Sequence, residues 1–141
     1  QCSEKLKTLV EDGVDQYRER VFWRRLGEIF HYIADYFTFP HNKTFTGSLV
    51  EHNSYEKELK NRLKTCIRNG EAARYQAAEI SFGSFGQLTE YIREKHAEYL
   101  KKERNISDDI RYILDVCCQV FRGVCRLCPG LEPEKVPVCV F

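Results

Sequence analysis

Methionine is missing altogether from these 141 residues. A newly made chain starts with methionine, so this one is expected to be processed or cut from something longer. Gln1-Cys2 reads as a mature terminus left by signal-peptide removal. No run approaches the ~18 apolar residues of a membrane span. Neither charge sign dominates: 22 Lys and Arg stand against 21 Asp and Glu, for a net charge of +1. Nucleic acid recruits proteins by phosphate neutralisation on a basic face, so it is not an expected partner. Internal repeats and low-complexity tracts are absent. Gly83-Ser84-Phe85-Gly86 is short and lacks the Lys of a phosphate-cradling loop. Proline is scarce. Pro40 closes the first long segment, and Pro129, Pro133 and Pro137 exclude a helix at the end of the chain.

What is present is apolar spacing of three and four, the helical period. Leu6, Val10, Val14, Tyr17 and Val21 form one stripe, which Leu26, Ile29, Phe30, Ile33 and Phe37 continue after a phase shift. This is one long helix or two with a bend, and Gly13 and Gly27 are the candidate breaks. Residues 41–52 read as a loop. Asn53 with Glu56 resembles a capping box opening the next helix, whose face carries Tyr55, Leu59, Leu63, Cys66 and Ile67. A short Ala-rich helix over 71–80, a helix from Ser84 to about Arg104 and a last one capped by Ser107 follow. Asp108 and Asp109 suit the dipole of that last helix, which is striped by Ile110, Ile113, Leu114, Cys117, Val120, Phe121 and Val124. The expected fold is all-α: one domain over 1–141, a bundle of about five helices in 1–124, and an irregular, cysteine-anchored C-terminal tail in 125–141 packed on it.

Seven cysteines are the most distinctive chemistry: Cys2, Cys66, Cys117, Cys118, Cys125, Cys128 and Cys139. Two sequons, at Asn42 and Asn105, fall near expected turns and are candidate glycosylation sites. Together they favour an extracellular or secretory-pathway chain with disulfides, over a cytoplasmic one. An odd cysteine points to a free thiol or to a homodimer, disulfide-linked or non-covalent. The alternative use of the thiols is zinc: Cys125-Arg-Leu-Cys128 is a CxxC, and Cys118 and Cys139 complete four sulfurs. Only one CxxC occurs, so the first expectation is no metal and no cofactor.

Other groupings are weaker. Glu28-Ile-Phe-His31 is a Glu-x-x-His with Asp35 one turn on, but a di-iron bundle needs two such motifs and a second does not occur. His41 and His52 flank one loop and could meet in space, yet nothing gathers a cysteine, a histidine and an orienting acid into a catalytic set. Trp23-Arg24-Arg25 is the best candidate contact for a partner protein, because Trp and Arg are enriched in binding hot spots. The expectation reached by elimination is a non-catalytic secreted or ectodomain protein that binds a receptor or ligand protein. The alternatives are an intracellular helical adaptor with reduced cysteines or a small structural zinc site, and a carrier of a small apolar ligand.

Overall fold

The computed structural model describes residues 1–14, 19–75 and 78–131, and among them every regular element is helical. In chain order these are α1 (Cys2–Asp12), α2 (Glu19–Tyr36), a 3-10 turn at Phe39–His41, α3 (Leu49–Arg68), α4 (Glu71–Arg74), α5 (Phe85–Tyr99) and α6 (Ile106–Leu127). A bundle of about five substantial helices therefore stands, with α4 a single turn.

Helix α6 is the axis of the bundle and packs on α2, α3 and α5, while α1 packs on α2 and α5. Its apolar stripe explains this place. Ile113, Leu114, Val116, Cys117, Val120 and Val124 are all buried, and α2 answers with Phe22, Leu26, Ile29 and Ile33. Each such side chain removed from water contributes about 1.5–3 kcal/mol before the entropy of ordering is counted. Gly123 lets α6 approach the α5 layer, since a Cβ there would press on Leu88 and Phe82.

Of the two candidate breaks in the first segment, the chain uses Gly13. It adopts φ +67°, and its missing Cβ leaves room for the Pro129 carbonyl. The Val14 N–H donates to that carbonyl at 3.2 Å, which ties the end of α1 to the chain leaving α6. Gly27 sits inside α2 without interrupting it.

Several boundaries differ from expectation: α4 spans only Glu71–Arg74 where the sequence predicts a helix over 71–80, α5 ends at Tyr99 and not near Arg104, and the starts of α3 and α6 differ for a capping reason. Helix α3 starts at Leu49 with Ser48 as its cap, five residues earlier than the expected cap Asn53. The box is Ser48 with Glu51: the Ser48 hydroxyl accepts from the Glu51 N–H, and the Glu51 carboxylate accepts from the Ser48 N–H. Helix α6 is capped by Asn105, whose side chain accepts from the Asp108 N–H, and not by Ser107. It also runs on to Leu127, so Cys125 is helical and the irregular tail begins at Cys128. The expected packing of the tail beyond Leu131 lies outside the described residues.

Among the described residues, Cys2, Cys66, Cys117, Cys118, Cys125 and Cys128 form no disulfide with one another; Cys139 lies outside the described residues. This corrects the disulfide expectation. A chain of this length buries enough apolar surface to fold without cross-links, and its thiols are used as small core groups. Cys117 and Cys128 are buried, and the Cys128 thiol donates to the Leu9 carbonyl at 3.6 Å.

Candidate metal centre

The turn after α2 is held rigidly. Phe37 is buried, stacked on Tyr112 with ring centroids 5.8 Å apart and edge-on to Tyr99 at 5.5 Å. The Thr38 hydroxyl donates back to the Ala34 carbonyl at 2.8 Å. Asn42 reaches over the turn, and its side-chain N–H donates to the Thr38 carbonyl at 3.0 Å and to that of Tyr36 at 3.3 Å. Pro40 is buried and presets the 3-10 turn. Between these anchors His41 is delivered to the surface next to α3.

Because α3 begins at Leu49, His52 and Glu56 are four residues apart on one helix and share a face. His41 comes to meet them. Its Nε2 lies 2.6 Å from Glu56 Oε1, and His52 Nε2 lies 3.1 Å from the same oxygen. The two imidazoles are 5.1 Å apart, and the Phe45 ring stands edge-on to His52 at 6.0 Å. Among the described residues, His41, His52 and Glu56 are the group whose ligand atoms converge enough to hold a metal ion, all within 4.8 Å of one another. The side chains of His41, His52 and Glu56 are 31%, 27% and 43% exposed, so an ion bound there is open to water and substrate. The hydrogen bond from His41 holds the Glu56 carboxyl below the ordinary glutamate range, with His52 adding to it. The oxygen is therefore ionised and ready to ligate.

Behind the site lies Asp109, fully buried. Its Oδ2 accepts from the Phe39 N–H at 2.8 Å and from the Tyr55 hydroxyl at 2.8 Å, and its Oδ1 accepts from the Tyr99 hydroxyl at 2.6 Å. Burial outweighs the three donors and leaves this carboxyl above the ordinary aspartate range. Phe39 is two residues before His41, and Tyr55 immediately precedes Glu56. One carboxylate thus clamps the backbone of one ligand and the helix of the other two, as supporting groups do around metal ligands. From the sequence Asp109 reads as a dipole partner at a helix start. Its neighbour Asp108, only partly buried, pairs with Arg111.

Several expected groupings are not assembled. Glu28 pairs with Lys5 at 3.4 Å and does not join His31; His31 and Asp35 face each other at 3.6 Å, apart from the three-residue group. Cys118, Cys125 and Cys128 form no ligand cluster among the described residues. Burial pushes the Cys125 thiol up to about 11 and raises that of Cys117 further; Cys139, the fourth sulfur of the candidate zinc set, lies outside the described residues. Trp23 is half-buried, edge-on to Phe22, with Arg24 and Arg25 exposed beside it. The Asn42 amide nitrogen, which a glycan would occupy, is spent on two carbonyls; Asn105 is exposed at the α6 cap. A carrier of apolar ligands needs an apolar chamber. The cavity of about 430 Å³ beside α3 is rimmed by Asn61, Arg62, Thr65, Asn69 and Glu71, with Cys66 and Ile110 among them, and is not an enclosed apolar chamber.

The donor set itself points to zinc. Two imidazole nitrogens and one carboxylate oxygen with an open fourth position are the ligands of hydrolytic zinc sites. The comparison with protein families agrees: the family described as zinc dependent phospholipase C matches residues 1–106, a span that holds His41, His52 and Glu56. No curated protein and no solved structure matches the chain. The match overturns the expectation of a non-catalytic chain working by protein binding, because it points to catalysis. The sequence placed His41 and His52 near each other but not Glu56, which joins them as a third ligand atom because α3 starts at Leu49. With 106 of its 141 residues inside the match, the chain belongs to the zinc dependent phospholipase C family.

Proposed function

We propose that this chain hydrolyses a phosphodiester bond of a phospholipid, using zinc held by His41, His52 and Glu56. The observation that carries this reading is the convergence of those three side chains in a member of that family. Zinc bound there supplies Lewis acidity toward a phosphoryl oxygen and a water acidic enough to attack near neutral pH. The chain's own part is to keep the Glu56 carboxylate ionised and the three ligands fixed in place. Glu56 is ionised by its imidazole neighbours, and Asp109 fixes both ligand-bearing segments. The rim at Phe45 and the turn at Phe39–His41 wall one side of the site, with Phe45 packed so closely over Gly47 that no Cβ would fit there. An extracellular place of work fits the family and belongs to the same proposal.

The test is direct. The purified chain loaded with zinc is mixed with phosphatidylcholine, and release of diacylglycerol and phosphocholine is followed alongside metal content. Stoichiometric zinc with headgroup release, both lost in Glu56→Gln, is the expected result. Zinc bound with no turnover on any phosphodiester would leave a structural ion and overturn the catalytic reading.

A further inference from the structure

Leu49 and Val50 are 75% and 77% exposed, against 43% or less for every other exposed large hydrophobic described. They occupy the first turn of α3, at the mouth of the metal centre. Leu49, His52 and Glu56 fall at i, i+3 and i+7, so Leu49 extends the ligand face by one turn. Next to them lies a cavity of about 300 Å³ whose lining includes Phe39, Phe45, Leu100, Lys101, Lys102 and Glu103. Phe45 packs edge-on to both His52 and Phe39, so the cavity abuts the ligands. Leu100, 39% exposed, adds a third aliphatic group, and Lys101 and Lys102 are exposed beside it.

We propose that this rim docks the protein on an anionic phospholipid surface, with Leu49 and Val50 entering the headgroup–acyl boundary and Lys101 and Lys102 meeting lipid phosphates. The inference rests on the phospholipid reading of the site and names the form in which the substrate is met. Two adjacent aliphatic side chains held in water lose hydration cost when they enter a bilayer interface. Cations near an anionic leaflet add a salt-sensitive attraction, which selects a lipid surface over an uncharged apolar partner. Glu103 is the single acid in the cavity lining against two lysines. Docking through Leu49 brings the face carrying His52 and Glu56 toward the phosphodiester layer, since the residues share one stripe.

The experiment is co-sedimentation of the metal-free chain with vesicles of equal parts phosphatidylcholine and phosphatidylserine, so that turnover does not interfere. The same chain, zinc-loaded, is assayed on a short-chain phosphatidylcholine kept below its micelle concentration. The expected result is vesicle binding that weakens about 100-fold in the Leu49→Ser, Val50→Ser double variant. A Lys101→Gln, Lys102→Gln variant binds roughly 20-fold more weakly and loses most of its salt dependence. Zinc affinity, melting temperature and short-chain turnover stay unchanged in both. Absence of vesicle binding, or binding indifferent to the double variant, overturns the proposal. So does a homodimer in solution that the double variant dissolves, because a second copy would then cover the face. Short-chain turnover without vesicle binding sinks the docking surface and leaves the catalytic reading standing. Vesicle binding without any turnover does the reverse.

Discussion

Two regions of this molecule carry metal-ligand side chains, and they behave in opposite ways. At one end of the bundle, two imidazoles and a carboxylate sit half-exposed and charged or ready to ligate. At the other, Cys2, Cys117, Cys125 and Cys128 are wholly or partly buried, and burial keeps Cys117 and Cys125 protonated. The difference teaches that ligand type alone does not make a site. A sulfur in an apolar layer is a small hydrophobe, whereas a carboxylate between two imidazoles is held ionised by them.

The sharpest way to break this comparison is to remove a ligand. His52→Ala or Glu56→Gln is expected to abolish stoichiometric zinc binding and to lower phospholipid hydrolysis to background, read by metal analysis and headgroup release. Retained zinc in both would move the metal to the sulfur end and reverse the contrast.

Next comes the support. Asp109→Asn keeps size but places an amide against three donors, so about 2 kcal/mol of stability is expected to go. Zinc affinity should fall about tenfold to a hundredfold, as for other groups that orient metal ligands. Tyr99→Phe serves as the control, because it removes a donor to Asp109 that leads to neither ligand segment. It should cost stability with a much smaller loss of zinc affinity; equal losses in both variants would reduce Asp109 to a packing role.

The thiol end answers differently. Cys117→Ala is expected to cost about 1 kcal/mol through the void it leaves, measured by urea unfolding, with zinc affinity and turnover untouched. A drop in zinc binding would show that the two ends are coupled.

The smallest expected effect is a pH response near the site. Burial holds His96 below its ordinary value of 6.5, where it stacks on Tyr36 at 3.4 Å and hydrogen-bonds Asn42 at 2.9 Å. A base whose folded value is depressed binds fewer protons folded than unfolded. Its contribution is therefore complete above about pH 6.5 and is lost as pH falls toward and through the lower folded value. His96→Gln should flatten the stability profile of the metal-free chain over that window; an unchanged slope would place the titration elsewhere.

Much of the fold was legible in the residues. The stripes on α2 and α6, the break offered at Gly13 and the turn after Pro40 follow from apolar period and backbone chemistry. His41 and His52 could be singled out as neighbours across one loop. The third ligand was hidden by a boundary. With the helix started at Asn53, Glu56 reads as a cap residue and His52 as loop, so the i, i+4 pair does not exist. The signal that recovers it is Ser48-Leu-Val-Glu51, an equally good capping box five residues earlier. Asp109 had no such signal, because an acid in the first turn of a helix is ordinarily a solvated partner of the dipole.

By itself the sequence determined what is local: helix period, the break at Gly13 and a composition able to build a core without cross-links. Only the tertiary structure decided which polar groups were to meet. The packing of α6 against α3 and α5 carries Asp109 under Phe39, Tyr55 and Tyr99, residues far apart along the chain. A buried carboxylate must find donors wherever the packing leaves it. Here the donors it found lie beside His41 and Glu56, and that is what holds the ligands in place.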